Sequence, residues 1–147
     1  MTTSKIALLD SNILVYAADT TSPYHQESRD LRKRGLKGEL ILSVCPQVLS
    51  EFYAVITDKK RVNDPRTREE ALLEIEKYMN SRNIFKIYPS TETMKNMVDL
   101  IKQHQITKQR IFDLQLVATI LSNNINSIYT YNQEHFSEFE EIQVLTP

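Results

Sequence analysis

Near the start of this chain four consecutive apolar residues, Ile6-Ala7-Leu8-Leu9, run straight into Asp10-Ser11-Asn12. The run does not alternate apolar with polar positions, so it suits a strand covered on both faces, the kind that lies inside a parallel sheet. Open parallel sheets bind their ligands outside the carboxyl ends of the strands, and Asp10 falls at that edge. A plain helix N-cap is the competing role for Asp10 or Ser11, because both residue types are favoured there.

Similar short strand patterns occupy 40–44, 84–88, 127–130 and 142–145, the last of these again after a polar, aromatic stretch at 131–139. Between the strands lie helical patterns at 12–18, 24–37 (with Pro23 suited to the first helical position), 68–81, 91–104 and 111–122, and another opened by Pro46. Strands alternating with helices predict an α/β fold: three α/β/α layers around a central, mostly parallel sheet of about five strands with right-handed crossovers. A length of 147 residues fits one domain, 1–147. Helical spacing sets Val48, Phe52 and Ile56 inward on one helix, Leu72, Ile75 and Met79 on another, and Met94, Met97, Val98 and Ile101 on a third.

Composition excludes several function classes. A net charge of −1 rules out a general nucleic-acid coating protein, while leaving room for a local basic patch. The two glycines cannot build a Gly-rich phosphate loop. The single Cys45 forms no internal disulfide, fits a reducing compartment and reads as a small buried hydrophobe. No apolar run approaches the ~20 residues of a membrane span, and the first residues lack a secretory pattern. A soluble cytoplasmic protein with no membrane contact is expected.

Three acids occupy comparable places. Asp10 ends the first strand, Glu51 lies early in the helix after the second, and Asp113 begins the helix before the fourth. A parallel sheet brings all strand carboxyl ends to one edge, where the three would converge. The helix dipole favours an acid in the first turn by ~0.3–1 kcal/mol, which alone would account for Glu51 or Asp113, as an N-cap would for Asp10. Three clustered carboxylates, however, repel, and either raised pKa values or a hard divalent cation such as Mg²⁺ or Mn²⁺ resolves that repulsion.

Taken in order, Leu9-Asp10-Ser11-Asn12, Val48-Leu49-Ser50-Glu51-Phe52, the segment from Phe112-Asp113 to Thr119, and Thr130-Tyr131-Asn132 with Phe136 resemble the successive motifs of PIN-domain ribonucleases, in particular the VapC-like toxins of toxin–antitoxin pairs. The resemblance spans essentially the whole chain and rests on the ordered set rather than on any one motif. It implies a metal-dependent endoribonuclease in which Asp10, Glu51 and Asp113 are catalytic metal-binding acids, Asn132 a further metal ligand, and Ser11, Asn12 and Thr130 their supports. It also implies hydrolysis by in-line attack of water, leaving a 5′-phosphate and a 3′-hydroxyl, a separate antitoxin chain and a homodimer. One difference stands out. Many members carry another Asp at the position of Asn132 or of His135, and neither residue is acidic here.

Lys59, Lys60, Arg61, Lys108 and Arg110 are the candidate RNA phosphate contacts. Tyr131 and Phe136 would either stack on bases or pack in the core or its rim. Three rival functions follow from the same residues. A metal-free ribonuclease would use His as acid and base, but His25, His104 and His135 have no paired partner in the sequence. An aspartyl nucleophile at the strand end leaves Glu51 and Asp113 without a role. A degenerate PIN module would bind RNA or protein without cutting.

Overall fold

The structure is a computed structural model and describes residues 6–147. Residues 1–5, part of the expected single domain and of the leader reading, lie outside the described residues.

The first apolar run forms β1 (Ile6–Leu9), followed by α1 (Ser11–Ala18), α2 (His25–Leu36), β2 (Ile41–Val44), α3 (Pro46–Ile56), α4 (Arg68–Met79), β3 (Ile84–Lys86) and α5 (Thr91–Gln103). A 3₁₀ turn at Lys108–Arg110 then leads into α6 (Ile111–Ser122), β4 (Ser127–Tyr129), α7 (Gln133–Phe136) and β5 (Gln143–Leu145). The strand order is β3-β2-β1-β4-β5. Every pairing is parallel, so the expected mostly parallel sheet is parallel throughout. In one helical group α1 packs on α2 and α3, and α3 on α4; in the other α5 packs on α6.

β1 is the central strand, and Leu8 and Leu9 are fully buried, as its uninterrupted apolar sequence requires. The order of strands reverses between β1 and β4. This is the topological switch point, outside which open α/β sheets bind ligands. α2 lies close on the sheet at Gly35, where a Cβ would collide with the side chain of Leu42. Gly38 then turns the chain toward β2 with φ of +79°.

Several local expectations are corrected. Pro23 sits in the turn before α2, which starts at His25. α4 turns Ala71 and Tyr78 inward, leaving Leu72 51% and Met79 42% exposed. Tyr78 packs edge-on against Phe52, and Arg32 of α2 pairs with Glu74 at 3.3 Å, which together set the helix's rotation. Arg32 is therefore held between α2 and α4. α5 is likewise rotated. Thr93 and Leu100 are buried, whereas Met94, Val98 and Ile101 are exposed and Met97 is half-buried. Polar contacts to α6, Thr93 Oγ1 to Ser122 Oγ at 2.6 Å and Asn96 Nδ2 donating to the Ala118 carbonyl at 3.5 Å, hold that face.

Candidate active site

Asp10 leaves β1 with φ −70° and ψ 157° and caps α1, its Oδ1 accepting the Ser11 N–H at 2.8 Å. The capping role is real, but it does not account for the whole environment. Asp10 is only 5% exposed. Its Oδ2 accepts the Thr130 hydroxyl at 2.8 Å and the Asn12 amide at 3.2 Å. Asn12 Nδ2 also donates to Thr130 Oγ1 at 3.0 Å, while its Oδ1 accepts the Tyr131 N–H at 3.2 Å. The Asn132 N–H closes the network on Thr130 Oγ1 at 3.0 Å. The ends of β1 and β4, on either side of the switch point, are thus joined through one buried carboxylate.

Ser11 carries the network across the edge, its hydroxyl donating to Glu51 Oε2 at 3.0 Å. Glu51 stands in the second turn of α3, not the first, so the helix dipole does not explain it. Asp113 does lie in the first turn of α6. Gln47, one helical turn before Glu51, donates to Glu51 Oε1 at 3.3 Å and to the carbonyl of Phe112, beside Asp113, at 3.0 Å. The pair is tied by the i, i+4 geometry of a helix.

Electrostatics couple the three acids. Burial pushes the Asp10 carboxyl up to about 6, with the hydrogen bonds from Thr130 and Ser11 pulling it back and the charges of Glu51 and Asp113 adding to the rise. Burial also raises Asp113, against the pull of His135 and Arg110 and with repulsion from Glu51. Ser11, Glu51, Asp113 and Asn132 line one cleft of about 570 Å³ together with Arg61, Gln109, Arg110, Phe112 and His135. Asp10 lies beneath its surface.

The donor set suits a hard divalent cation: carboxylate oxygens whose charges raise one another's protonation. Among the described residues no three His, Cys, Asp or Glu side chains are already gathered as a metal cluster. Glu51 is instead held by Ser11 and Gln47.

Of the expected residues, the structure brings together Asp10, Ser11, Asn12 and Thr130, and sets Glu51, Asp113 and Asn132 on the adjoining cleft with Arg61 and Arg110. Lys60 and Lys108 do not line it. The backbone N–H of Lys60 is used in a turn on Asp58, and Lys108 adopts a φ of 58°. Phe136 is core, and Tyr131 packs with Tyr16 and Tyr24. Two neighbours escaped sequence reasoning. Gln47 was detectable from its helical spacing to Glu51; His135 stands where the resemblance puts an Asp in many members, and the tertiary fold sets its Nδ1 3.6 Å from Asp113 Oδ2. His104 also has acidic neighbours, Glu138 and Glu141, but among the described residues His135 is the one histidine lining the cleft.

A family model described as the PIN domain matches residues 7–142. The chain belongs to the PIN-domain family. Among curated relatives, Ribonuclease VapC24 of Mycobacterium tuberculosis is 24% identical over 139 residues, covering 95% of this chain and 94% of that protein. Two solved structures share the PIN fold. The first is VapC20 of Mycobacterium tuberculosis, a sarcin-ricin loop cleaving toxin, with a TM-score of 0.65 and 10% identity over 92% of this chain and 95% of that one. The second is VapBC2 of Rickettsia felis, bound to a promoter DNA fragment, with a TM-score of 0.66 and 18% identity over 97% and 98%. Membership accounts for the ordered motifs along the whole chain, and the five-stranded parallel sheet is the PIN architecture.

Proposed function

We propose that this PIN protein is an endoribonuclease that depends on a divalent metal, Mg²⁺ or Mn²⁺, and serves as the toxin of a toxin–antitoxin pair. The observation that carries the reading is the junction of buried Asp10 with Glu51, through Ser11, at the switch point of the sheet, facing Asp113 and two arginines across one cleft. Relatives named as VapC ribonucleases and a VapBC structure support the toxin assignment.

Asp10, Glu51 and Asp113 would hold the metal, with the carbonyl oxygen of Asn132 as a neutral further donor. A metal so held supplies an activated water and charge neutralisation at the phosphate. Thr130, Asn12 and the Ser11 N–H orient the Asp10 carboxylate, and Ser11 and Gln47 orient Glu51. Arg61 and Arg110 bind flanking phosphates as charged donors. The RNA enters as a single strand, recognised by shape, stacking and 2′-hydroxyl contacts.

Residues 1–147 act as one nuclease domain, cytoplasmic, and paired with a separate antitoxin and with a second copy of the chain. Among the described residues no helix is long and apolar enough to cross a membrane. The apolar side chains exposed on α4 and α5 supply surface for such protein contacts. Cleavage of single-stranded RNA by the purified protein, abolished by EDTA and restored by Mg²⁺ or Mn²⁺, tests the reading. RNA binding with no metal-dependent cleavage would replace it with a non-catalytic module, which the neutral Asn132 favours.

A further inference from the structure

The side of the cleft opposite Asp10 carries a donor of a different kind. His135 sits on α7 next to Phe136, which is 1% exposed and anchors that short helix in the core. The His135 N–H is held by the Asn132 carbonyl at 3.0 Å. Asn132 and His135, one turn apart, both line the cleft. The imidazole Nδ1 lies 3.6 Å from Asp113 Oδ2. That is longer than the 2.7–3.2 Å of an N–H···O hydrogen bond. It is also within the ~4 Å that separates two donors each about 2 Å from one ion. The nearby cation does not fill this gap, because Arg110 is engaged by Glu138 and by the carbonyl of His135. His135 is half exposed, so its ring is free to turn toward the cleft.

We propose that His135 is a nitrogen ligand to the metal held by Asp113, making this a mixed nitrogen–oxygen site that selects a first-row transition ion over Mg²⁺. The inference rests on the metal-dependent reading above. Its chemical basis is ligand preference: Mg²⁺ takes oxygen donors and keeps its waters, while imidazole favours transition ions. An all-oxygen site would show less of this discrimination.

The test uses Mn²⁺ as the probe on the full chain. Pulsed electron paramagnetic resonance of the Mn²⁺-loaded protein should show coupling to a histidine nitrogen, and His135→Gln should remove it. Competition titrations should show the Mn²⁺-to-Mg²⁺ affinity ratio falling about tenfold in His135→Gln, with an unchanged melting temperature in EDTA establishing that the variant is folded. Mn²⁺ bound without nitrogen coupling, or bound more tightly after His135→Gln, overturns the inference and leaves the metal reading intact; the second result would make His135 a cation competing for Asp113. No Mn²⁺ binding by the wild type, measured alongside Asp113→Asn, overturns both.

Discussion

The two sides of the cleft are built differently. On the Asp10 side, a carboxylate 5% exposed accepts three hydrogen bonds from Ser11, Asn12 and Thr130, and the groups that donate them are themselves held by β1, α1 and β4. On the Asp113 side, the carboxylate is half-buried, among the described residues no side chain donates to it at hydrogen-bond distance, and its neighbours His135 and Arg110 are partly exposed. The first arrangement is preorganised: its geometry is set before any ligand arrives, at the cost of burying a charge. The second is adaptable, with charges that can rearrange around a cation or a phosphate. A site that held a metal ion and also admitted and released RNA, as proposed above, would have use for both.

The largest effect that separates the two sides should be catalytic. Asp113→Asn removes charge from the open side, where no fixed hydrogen bonds compensate, and should lower RNA cleavage by ~1,000-fold, about 4 kcal/mol of transition-state stabilisation. A single-turnover cleavage assay with Mn²⁺ checks this, and equal rates for variant and wild type would remove Asp113 from the site.

Next in size is the stability cost of burying Asp10. Its carboxyl is at about 6 in the folded protein against 3.8 as a free side chain. Between those values the folded state keeps a proton that the unfolded state has released. In EDTA, the Asp10 contribution to stability should therefore be greatest below pH ~4 and fall by about 3 kcal/mol as the pH rises through ~6. Asp10→Asn should lack that loss. At neutral pH it should be more stable than the wild type by ~1–2 kcal/mol, after subtracting about one hydrogen bond that an amide nitrogen cannot accept. Urea denaturation of both proteins from pH 4 to 8 measures the difference. Parallel curves would return Asp10 to a simple cap.

A smaller change should test whether preorganisation acts through Thr130. This residue is fully buried. Thr130→Val keeps its shape but leaves the Asn132 N–H without a partner and Asp10 Oδ2 with only the Asn12 amide, costing ~1–3 kcal/mol of stability. Metal affinity should fall about tenfold as the carboxylate loses its support. Calorimetric titration with Mn²⁺ gives the second number, and an unchanged affinity would mean that Asp10 orientation does not limit binding.

The smallest effect is expected at Asn132, on the open side. Asn132→Asp adds a charge at an exposed position, where solvent screens it, so metal binding should tighten by less than tenfold. Weaker or unchanged binding would place the Asn132 side chain outside the metal's reach.

Much of the architecture was readable because it depends on local pattern. Unbroken apolar runs marked β1 and β2, Pro46 marked the start of α3, and the apolar 111–122 segment matched α6 in both bounds. The three acids were legible because their positions relative to strand ends follow from parallel topology alone. Helix rotation was less legible. Met94, Val98 and Ile101 form a regular apolar stripe, yet the fold buries Thr93 and Leu100 instead. Periodicity identifies an amphipathic face without saying whether the rest of the chain covers it. Lys60 and Lys108 do not line the cleft; Lys60 sits in a turn whose backbone is held by Asp58, and Lys108 adopts a positive φ.

The sequence by itself therefore determined the order of elements, the parallel sheet and the placing of Asp10, Glu51 and Asp113 along one edge. Each of these follows from residue type and spacing within a short window. Only the tertiary structure decided that Thr130, 120 positions away, donates to Asp10, that Ser11 joins it to Glu51, and that His135 stands beside Asp113. Those contacts arise from the register of β1 on β4 and the seating of α7 on the core. The packing of distant elements sets both, and local sequence carries no record of either.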